Sequence, residues 1–305
     1  MSPRIRAYFE LARPANVVTA FADILAGFAA CGALARLLSD FPLTAGTDRP
    51  GAMLAWLLAA TAGLYAGGVV LNDVFDAELD AVERPERPIP SGRVERRHAA
   101  ALGVILLLAG VAAAAMVGTL SFLIALVVAL SAVLYDAAGK HHALLGPINM
   151  GICRGGNLLL GISAVPAMVG ELWFLAGIPV AYIGAVTAIS TGEVAGGTRM
   201  TGILAILLVG TVTTALLLLG IRLDFHLRQA APFLALFALL VYPPFVRACI
   251  DPSANRLRTA VRAGVISLIA LDAVLAAGFG EWWAGALVLA LMPISLLLAR
   301  VFAVT

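Results

Sequence analysis

The sequence predicts an all-α protein, a polytopic transmembrane helical bundle of about nine or ten spans, and three observations predict it. Of its 305 residues, 62% are hydrophobic and 12% charged, against roughly 25% charged in an ordinary soluble domain. The apolar residues fall in runs of roughly 20, the length that crosses a bilayer. The basic residues lie between those runs and are strongly biased to one side. A water-soluble fold of this composition would expose large apolar patches, which soluble proteins avoid.

The runs lie near 15–36, 52–72, 98–118, 120–136, 145–166, 172–190, 200–220, 231–248, 260–279 and 283–303. The third and fourth are separated only around Gly118–Thr119, and the last two by a turn at Gly280–Glu281. No hydrophilic stretch is long enough for a second domain, so 1–305 reads as one bundle in the lipid bilayer. The first run is too long for a cleavable signal and no small-residue cleavage site follows it, so it is expected to be the first span. Cys31, Cys153 and Cys249 each sit in an apolar run without CxxC spacing and read as buried thiols. A formal charge of +2 without a basic stripe argues against nucleic acid as a partner.

Orientation follows from the basic residues of the short loops. With ten spans, one face collects Arg4, Arg6, Arg13, the five arginines between 84 and 97, Lys140, Arg199, Arg247, Arg256, Arg258, Arg262 and Arg300. The other holds Arg36, Arg49, Arg222 and Arg228. The Arg-rich face is therefore expected to be cytoplasmic. Lys140 is the one lysine in the chain, an arginine bias that fits a GC-rich bacterial gene.

The second run leads directly into Asn72-Asp73-Val74-Phe75-Asp76-Ala77-Glu78-Leu79-Asp80, and Pro85 and Pro88 follow. If the helix continues, Asn72, Asp76 and Asp80 share a face at i, i+4 and i+8, with Asp73 bordering it, until the prolines end the helix. Like charges at this spacing repel unless a cation neutralises them. Oxygen ligands without His or Cys suit Mg²⁺, and Arg84 and Arg87 are placed to clamp phosphate oxygens. A solvated helix end explains Glu83, Glu86, Arg96 and Arg97 well. It explains three acids and an asparagine along one face poorly.

The pattern Asn72-Asp73-x-x-Asp76-x-x-x-Asp80, with Arg84 and Arg87-Pro88-Ile89-Pro90-Ser91-Gly92, resembles the first aspartate-rich motif of the UbiA superfamily of intramembrane prenyltransferases. It is most similar to the chlorophyll synthase and geranylgeranyl-transferring branches and to the EboC-type members. Arg13-Pro14 with Asn16 extends the resemblance to the first span. The resemblance implies helices around a central cavity open to lipid, and Mg²⁺-assisted loss of diphosphate from an isoprenyl diphosphate such as geranylgeranyl diphosphate. The allylic cation is then captured by an aromatic or other lipophilic acceptor.

The family's second Asp-rich motif falls at Ser190-Thr191-Gly192-Glu193-Val194-Ala195-Gly196-Gly197-Thr198-Arg199. Glu193 stands where an acid is expected and Arg199 follows, but Gly197 occupies the position of the closing aspartate. Gly192, Gly196 and Gly197 fit either close helix packing or backbone approach to phosphate. Tyr135-Asp136 and Lys140 stand near the family's tyrosine and basic residue, the tyrosine to stabilise a cation through its ring and Lys140 to bind phosphate. His141-His142 reads as solvated loop. Arg154 and Asn157 interrupt the fifth run and share a face. An arginine there is costly and turns to a cavity or a partner, so Arg154 reads as a diphosphate ligand or the partner of a buried aspartate. Asp272, alone in the ninth run, reads as a helix–helix hydrogen bond.

The residues thus expected to carry the reaction are Asp76, Asp80, Arg84 and Tyr135. Asn72, Arg87, Lys140, Arg154, Asn157, Glu193 and Arg199 bind diphosphate, and Asn72, Asp73, Asp76, Asp80 and Glu193 hold Mg²⁺. The rival reading is a non-catalytic relative that binds a prenyl or amphipathic ligand, possibly within a transport assembly. A secondary transporter ranks last, because its ionisable site belongs at the bilayer midplane.

Overall fold

The computed structural model describes residues 2–39, 50–139, 142, 145–190, 196–222 and 224–302, and among them it is helical with no strands. A proline sets the first junction. α1 (Pro3–Ala12) starts on Ser2, whose hydroxyl oxygen accepts the Ile5 amide at 3.3 Å. Pro14 disfavours right-handed helical geometry in the residue before it, and Arg13 adopts the left-handed region instead (φ 46°, ψ 64°). α2 (Pro14–Ala30) then restarts with proline at its first position, where a missing N–H costs nothing. Gly32, at φ 76°, turns the chain into α3 (Ala33–Ser39).

α4 (Pro50–Phe75) and the short α5 (Ala77–Glu83) are separated at Asp76. α6 (Arg96–Ala115) and α7 (Thr119–Ala137) form a hairpin that turns at Gly118, and α8 (Leu145–Ile162) follows. α9 (Pro166–Leu172), one 3₁₀ turn (Trp173–Ala176) and α10 (Gly177–Ser190) run on as a single stretch. α11 (Arg199–Leu219), α12 (Leu227–Ile250) and α13 (Ala254–Phe279) are long. The last run is split at Ala290 into α14 (Trp282–Leu289) and α15 (Leu291–Val301).

Eight stretches among the described residues are long and apolar enough to cross a membrane. The two expected runs outside that set are helical as well. α2 has 17 residues, and α8 has 18 with Asn149, Arg154 and Asn157 diluting its apolar character. The chain is an integral membrane protein built as a polytopic helical bundle.

α13 is the axis of the bundle: every residue from Ser267 to Gly278 is buried. Lipid supplies no hydrophobic force between helices, so close packing of small residues and interhelical hydrogen bonds hold them. α2 and α8 meet backbone to backbone at Gly27 and Gly161. A Cβ at Gly27 would lie 2.8 Å from the Ile162 amide nitrogen, and one at Gly161 2.5 Å from the Ile24 carbonyl oxygen. α4 and α6 meet the same way, a Cβ at Gly63 falling 2.6 Å from the Leu106 oxygen. Buried hydroxyls cross-link the rest. Ser121 and Ser163 lie 2.7 Å apart, Tyr182 Oη is 2.6 Å from Ser267 Oγ, and Ser295 donates to the Ala15 carbonyl at 2.9 Å.

Gly27→Ala should therefore destabilise the protein by about 1–3 kcal/mol through overpacking. Gly210→Ala in α11, with nothing within 4 Å of its Cβ, should be neutral or stabilising by up to about 1 kcal/mol. Thermal unfolding of both variants in detergent checks the contrast.

Candidate active site

The site begins where α4 ends. Helical hydrogen bonds bridge the break at Asp76: its amide donates to the Asn72 carbonyl at 2.9 Å, and the Asp80 amide to the Asp76 carbonyl at 2.8 Å. Asn72, Asp76 and Asp80 so keep roughly the i, i+4, i+8 spacing, on two helices and not on the single continuous one expected. Asp73 and Asp80 are buried, each side chain 6% accessible, while Asp76 is partly exposed.

The prolines after α5 do more than end it. The Arg84 amide closes α5 on the Asp80 carbonyl at 2.8 Å. Residues 87–94 then fold into a hook. Ser91 donates through its amide (3.0 Å) and its hydroxyl (2.6 Å) to the Arg87 carbonyl, Gly92 takes φ 72°, and the Val94 amide donates to the Pro88 carbonyl at 3.0 Å. Val94 and Ile89 anchor the hook in a small apolar cluster with Ala7, Leu11, Val70 and Ala99, which ties α1, α4 and α6 together.

The hook aims Arg87 back at α4 and α5. Its Nη1 lies 2.7 Å from Asp80 Oδ2 and 3.4 Å from Asp73 Oδ1, and Arg13 Nη2 lies 2.7 Å from the same Asp73 oxygen. The left-handed turn before Pro14 thus puts Arg13 where Asp73 can hold it. Around this buried set runs an exposed ring of pairs, Arg93 with Glu10 (2.6 Å) and Arg96 with Glu78 (3.2 Å).

The repulsion within the acidic row was expected to call for a cation, and here arginines already offset part of it. Among the described residues no three His, Cys, Asp or Glu side chains converge as a metal group. The donor chemistry nevertheless fits a hard cation. Every donor is oxygen, and Arg87 engages only one oxygen of Asp80. Asn72 gives its amide nitrogen to Asp136 Oδ1 at 2.9 Å, which leaves its carbonyl oxygen as the remaining ligand atom. Asn72, Asp76 and Asp80 are the residues that would hold such an ion. Asp73 is turned to Arg13 and Arg87 and anchors the basic side of the site.

Next to this set lies a cavity of about 350 Å³ between α2, α4, α7, α8, α10 and α13. Arg13, Asn72, Tyr135 and Asp136 line its mouth, and Leu64, Val69, Val128, Ile183, Val186 and Leu268 form apolar walls. Its inner end is polar again, with Thr19, Thr61, Arg154 and Asn157. Arg154 Nη2 lies 3.1 Å from both Asp23 Oδ1 and the Thr19 carbonyl. Asn157 donates to the Ala20 carbonyl (2.8 Å) and to Asp23 Oδ2 (2.9 Å), and accepts from Thr61.

Arg154 and Asn157, expected to bind diphosphate, stand at the inner end of the cavity, apart from the aspartate set. At 1.5 Å of rise per residue, Thr61 lies roughly 16 Å down α4 from Asn72, and Thr19 roughly 9 Å down α2 from Arg13. The polar atoms of Asn157 are all engaged. Of the two readings of Arg154, the buried partner is the one seen, and that partner is Asp23. Asp272, expected to make a helix–helix hydrogen bond, is hydrogen-bonded to Asp23 of α2 and interacts with Arg154 of α8.

Lys140 and Glu193 lie outside the described residues. The chain beyond Glu193 is tied elsewhere: the Gly197 amide donates to the Pro252 carbonyl at 3.0 Å, and a Cβ at Gly197 would sit 3.1 Å from Leu257. Arg199 is exposed at the start of α11 and does not line the cavity. Arg84 is half-buried at the end of α5. Sequence reasoning passed over Asp23, although an acid inside the first apolar run is the same signal that exposed Arg154. Asn16, Thr19 and Asp23 at i, i+3 and i+7 mark one polar face of α2.

Known proteins share this fold. The profile of the UbiA prenyltransferase family matches residues 25–251. The chain belongs to the UbiA prenyltransferase family. Among family relatives, digeranylgeranylglyceryl phosphate synthase of Methanopyrus kandleri is 34% identical over 169 residues, 55% of this chain and 57% of the relative. The chain spans about half the length of the curated relatives it matches. A solved structure of digeranylgeranylglyceryl phosphate synthase in membranes matches with a TM-score of 0.66 over 91% of this chain and 99% of that one, at 20% identity. A UbiA homologue from Archaeoglobus fulgidus bound to DMAPP and Mg²⁺ matches with a TM-score of 0.58 over 88% and 98%, at 15% identity. At these identities the two structures show a shared fold.

The ion pairs make a prediction of their own. Asp73→Ala leaves Arg13 without its buried partner and Arg87 with Asp80 alone, and should cost about 3 kcal/mol. Glu78→Ala, at an exposed pair, should cost less than about 1 kcal/mol. Denaturation of the two variants in detergent measures the difference.

Proposed function

We propose that the protein is a prenyltransferase that moves an isoprenyl group from an isoprenyl diphosphate to a lipophilic acceptor within the membrane, with Mg²⁺ as cofactor. One observation carries this reading: a buried set of aspartates and arginines stands at the mouth of a cavity with apolar walls. Geranylgeranyl diphosphate is the proposed donor, because the matched relatives are named for a product bearing geranylgeranyl groups.

Arg13, Arg84 and Arg87 bind the diphosphate oxygens, for which a guanidinium fork is suited. Lys140 and Arg199 supply further positive charge for the diphosphate. Asn72, Asp76, Asp80 and Glu193 hold Mg²⁺, which when bound supplies charge stabilisation for the leaving group. The walls take up the isoprenyl chain and keep water from its first carbon. The ring of Tyr135 faces the positive charge that grows there as the C–O bond breaks. The acceptor then forms the new bond to that carbon and loses its proton. By the bias of its arginines, the site faces the cytoplasm from the cytoplasmic membrane.

A second reading is favoured by Gly197, which stands at the position of a metal-binding acid and is tied to Pro252. In that reading the protein binds the prenyl ligand without turning it over.

The test is turnover of labelled geranylgeranyl diphosphate by the purified protein with Mg²⁺ and a panel of acceptors. Diphosphate release should require Mg²⁺, stop on chelation, and fall by about 100-fold or more in Asp76→Ala. Release that survives both treatments refutes the proposal, and donor binding without any release establishes the second reading.

A further inference from the structure

Thr61, Tyr65, Gly68 and Asn72 follow one face of α4 along the cavity, at i, i+4, i+7 and i+11. Thr61 belongs to the polar inner end and Asn72 to the aspartate set at the mouth. Tyr65 stands between them, about 6 Å along the helix from Thr61 and about 10 Å from Asn72. Its charged neighbours come from both directions, Arg154 and Asp23 from the inner end and Arg13 from the mouth. Leu64 and Val69 flank it on the same wall.

The Tyr65 hydroxyl makes no hydrogen bond among the described residues, and its oxygen is not sealed off as the Arg154 Nε is. The bundle surrounds the side chain, yet it stays partly accessible, so the surface it keeps faces the cavity. Buried tyrosine hydroxyls ordinarily find a partner. Tyr182 does, donating to the Gly264 carbonyl at 3.0 Å and lying 2.6 Å from Ser267 Oγ. Polar groups deeper in the cavity serve one another. Asn157 engages Asp23, the Ala20 carbonyl and Thr61, and the Thr19 hydroxyl donates to the Asn16 carbonyl at 2.7 Å. Thr187 and Cys153 turn to Met150 Sδ (4.0 Å) and the Val128 carbonyl (3.9 Å). Tyr135, the other tyrosine on the cavity, stands at the mouth beside Asp136 and Asp76.

A hydroxyl without a partner in an apolar space selects one kind of ligand atom. It donates to a hydroxyl or carbonyl oxygen, and it accepts from a hydroxyl in turn. We propose that Tyr65 binds the prenyl acceptor, its hydroxyl hydrogen-bonded to a hydroxyl or carbonyl oxygen carried on an otherwise apolar molecule. The inference rests on the prenyl-transfer reading. In it the diphosphate leaves toward the mouth, and the acceptor meets the donor's first carbon from the inner side, where Tyr65 stands. A molecule without that oxygen leaves the hydroxyl unsatisfied and is discriminated against.

The experiment is equilibrium binding of 2-naphthol and 2-methylnaphthalene, alike in shape, to the purified full chain in detergent without donor. The wild type should bind 2-naphthol about 10-fold more tightly, the scale of one hydrogen bond. Tyr65→Phe should abolish that preference by losing about 10-fold on 2-naphthol alone. It should also keep the wild-type unfolding temperature, because the hydroxyl has no partner within the protein. Saturating inorganic diphosphate with Mg²⁺ should leave 2-naphthol bound, since the mouth lies about 10 Å away. The proposal is overturned by equal binding of the two probes to the wild type, or by a preference that survives Tyr65→Phe. A lowered unfolding temperature in Tyr65→Phe, or displacement of 2-naphthol by diphosphate, overturns it as well. Because no turnover is measured, failure here leaves prenyl transfer standing, and failure of prenyl transfer leaves the Tyr65 site binding its probe.

Discussion

A charge inside a low-dielectric bundle must have a partner, and the carboxylate of Asp73 is where this constraint gathers the most structure. Arg13 and Arg87 both converge on one of its oxygens. Arg13 reaches it because the chain turns between α1 and α2 through Arg13 itself, in the left-handed region before Pro14. Arg87 reaches it because the hook through Ser91, Gly92 and Val94 folds back onto α1, α4 and α6. Removing that carboxylate would leave the N-terminal junction and the hook without a common anchor. The same constraint acts a second time near the inner end of the cavity, where Asp23 holds Arg154 across α2 and α8. There the helices are close enough for the pair because Gly27 and Gly161 let the two backbones touch.

The cavity is a consequence of these two fixed polar ends. α2 and α4 contribute to both ends, with α7 joining them at the mouth and α8 at the inner end, so their spacing is set twice along their length, and the apolar side chains between line what is left. α13 closes the back with its unbroken buried stretch and brings Asp272 to the inner set. A greasy chamber with a charged mouth follows from where the ion pairs are, and not from any special property of the apolar residues.

Much of this was legible in the sequence, for physical reasons that differ from element to element. The membrane runs were readable because length and apolarity suffice for a span. The turns at Gly118 and Gly280 were readable because nothing else separates the flanking runs. The acidic row after α4 was readable because helical periodicity puts Asn72, Asp76 and Asp80 together. Pairing was not readable. Arg87 looked like a phosphate ligand by its neighbours in sequence, and only the three-dimensional hook shows it bridging Asp73 and Asp80. Asp23 was passed over because its partner lies 131 residues on, at Arg154. Asp272 looked solitary for the same reason: its neighbours come from two other helices.

The two charge sets differ in a way that bears on how ligands enter. At the mouth, Asp73 and Asp80 hold Arg13 and Arg87, and these two arginines keep 13–17% of their side chains accessible. A diphosphate arriving there competes with the aspartates for the same guanidinium groups. Each arginine it draws away leaves an acid in a dry place without its partner, at a cost of several kcal/mol. On the proposed reading, a divalent cation arriving with the anion removes that cost, because it neutralises the freed aspartates while the arginines neutralise the phosphates. Anion and cation are then expected to bind together more tightly than either alone, as a matter of charge balance. The inner set has no such exchange open to it, since its acids are fully enclosed and outnumber its arginine. One end of the cavity is built to trade its ion pairs for a ligand, and the other to keep them.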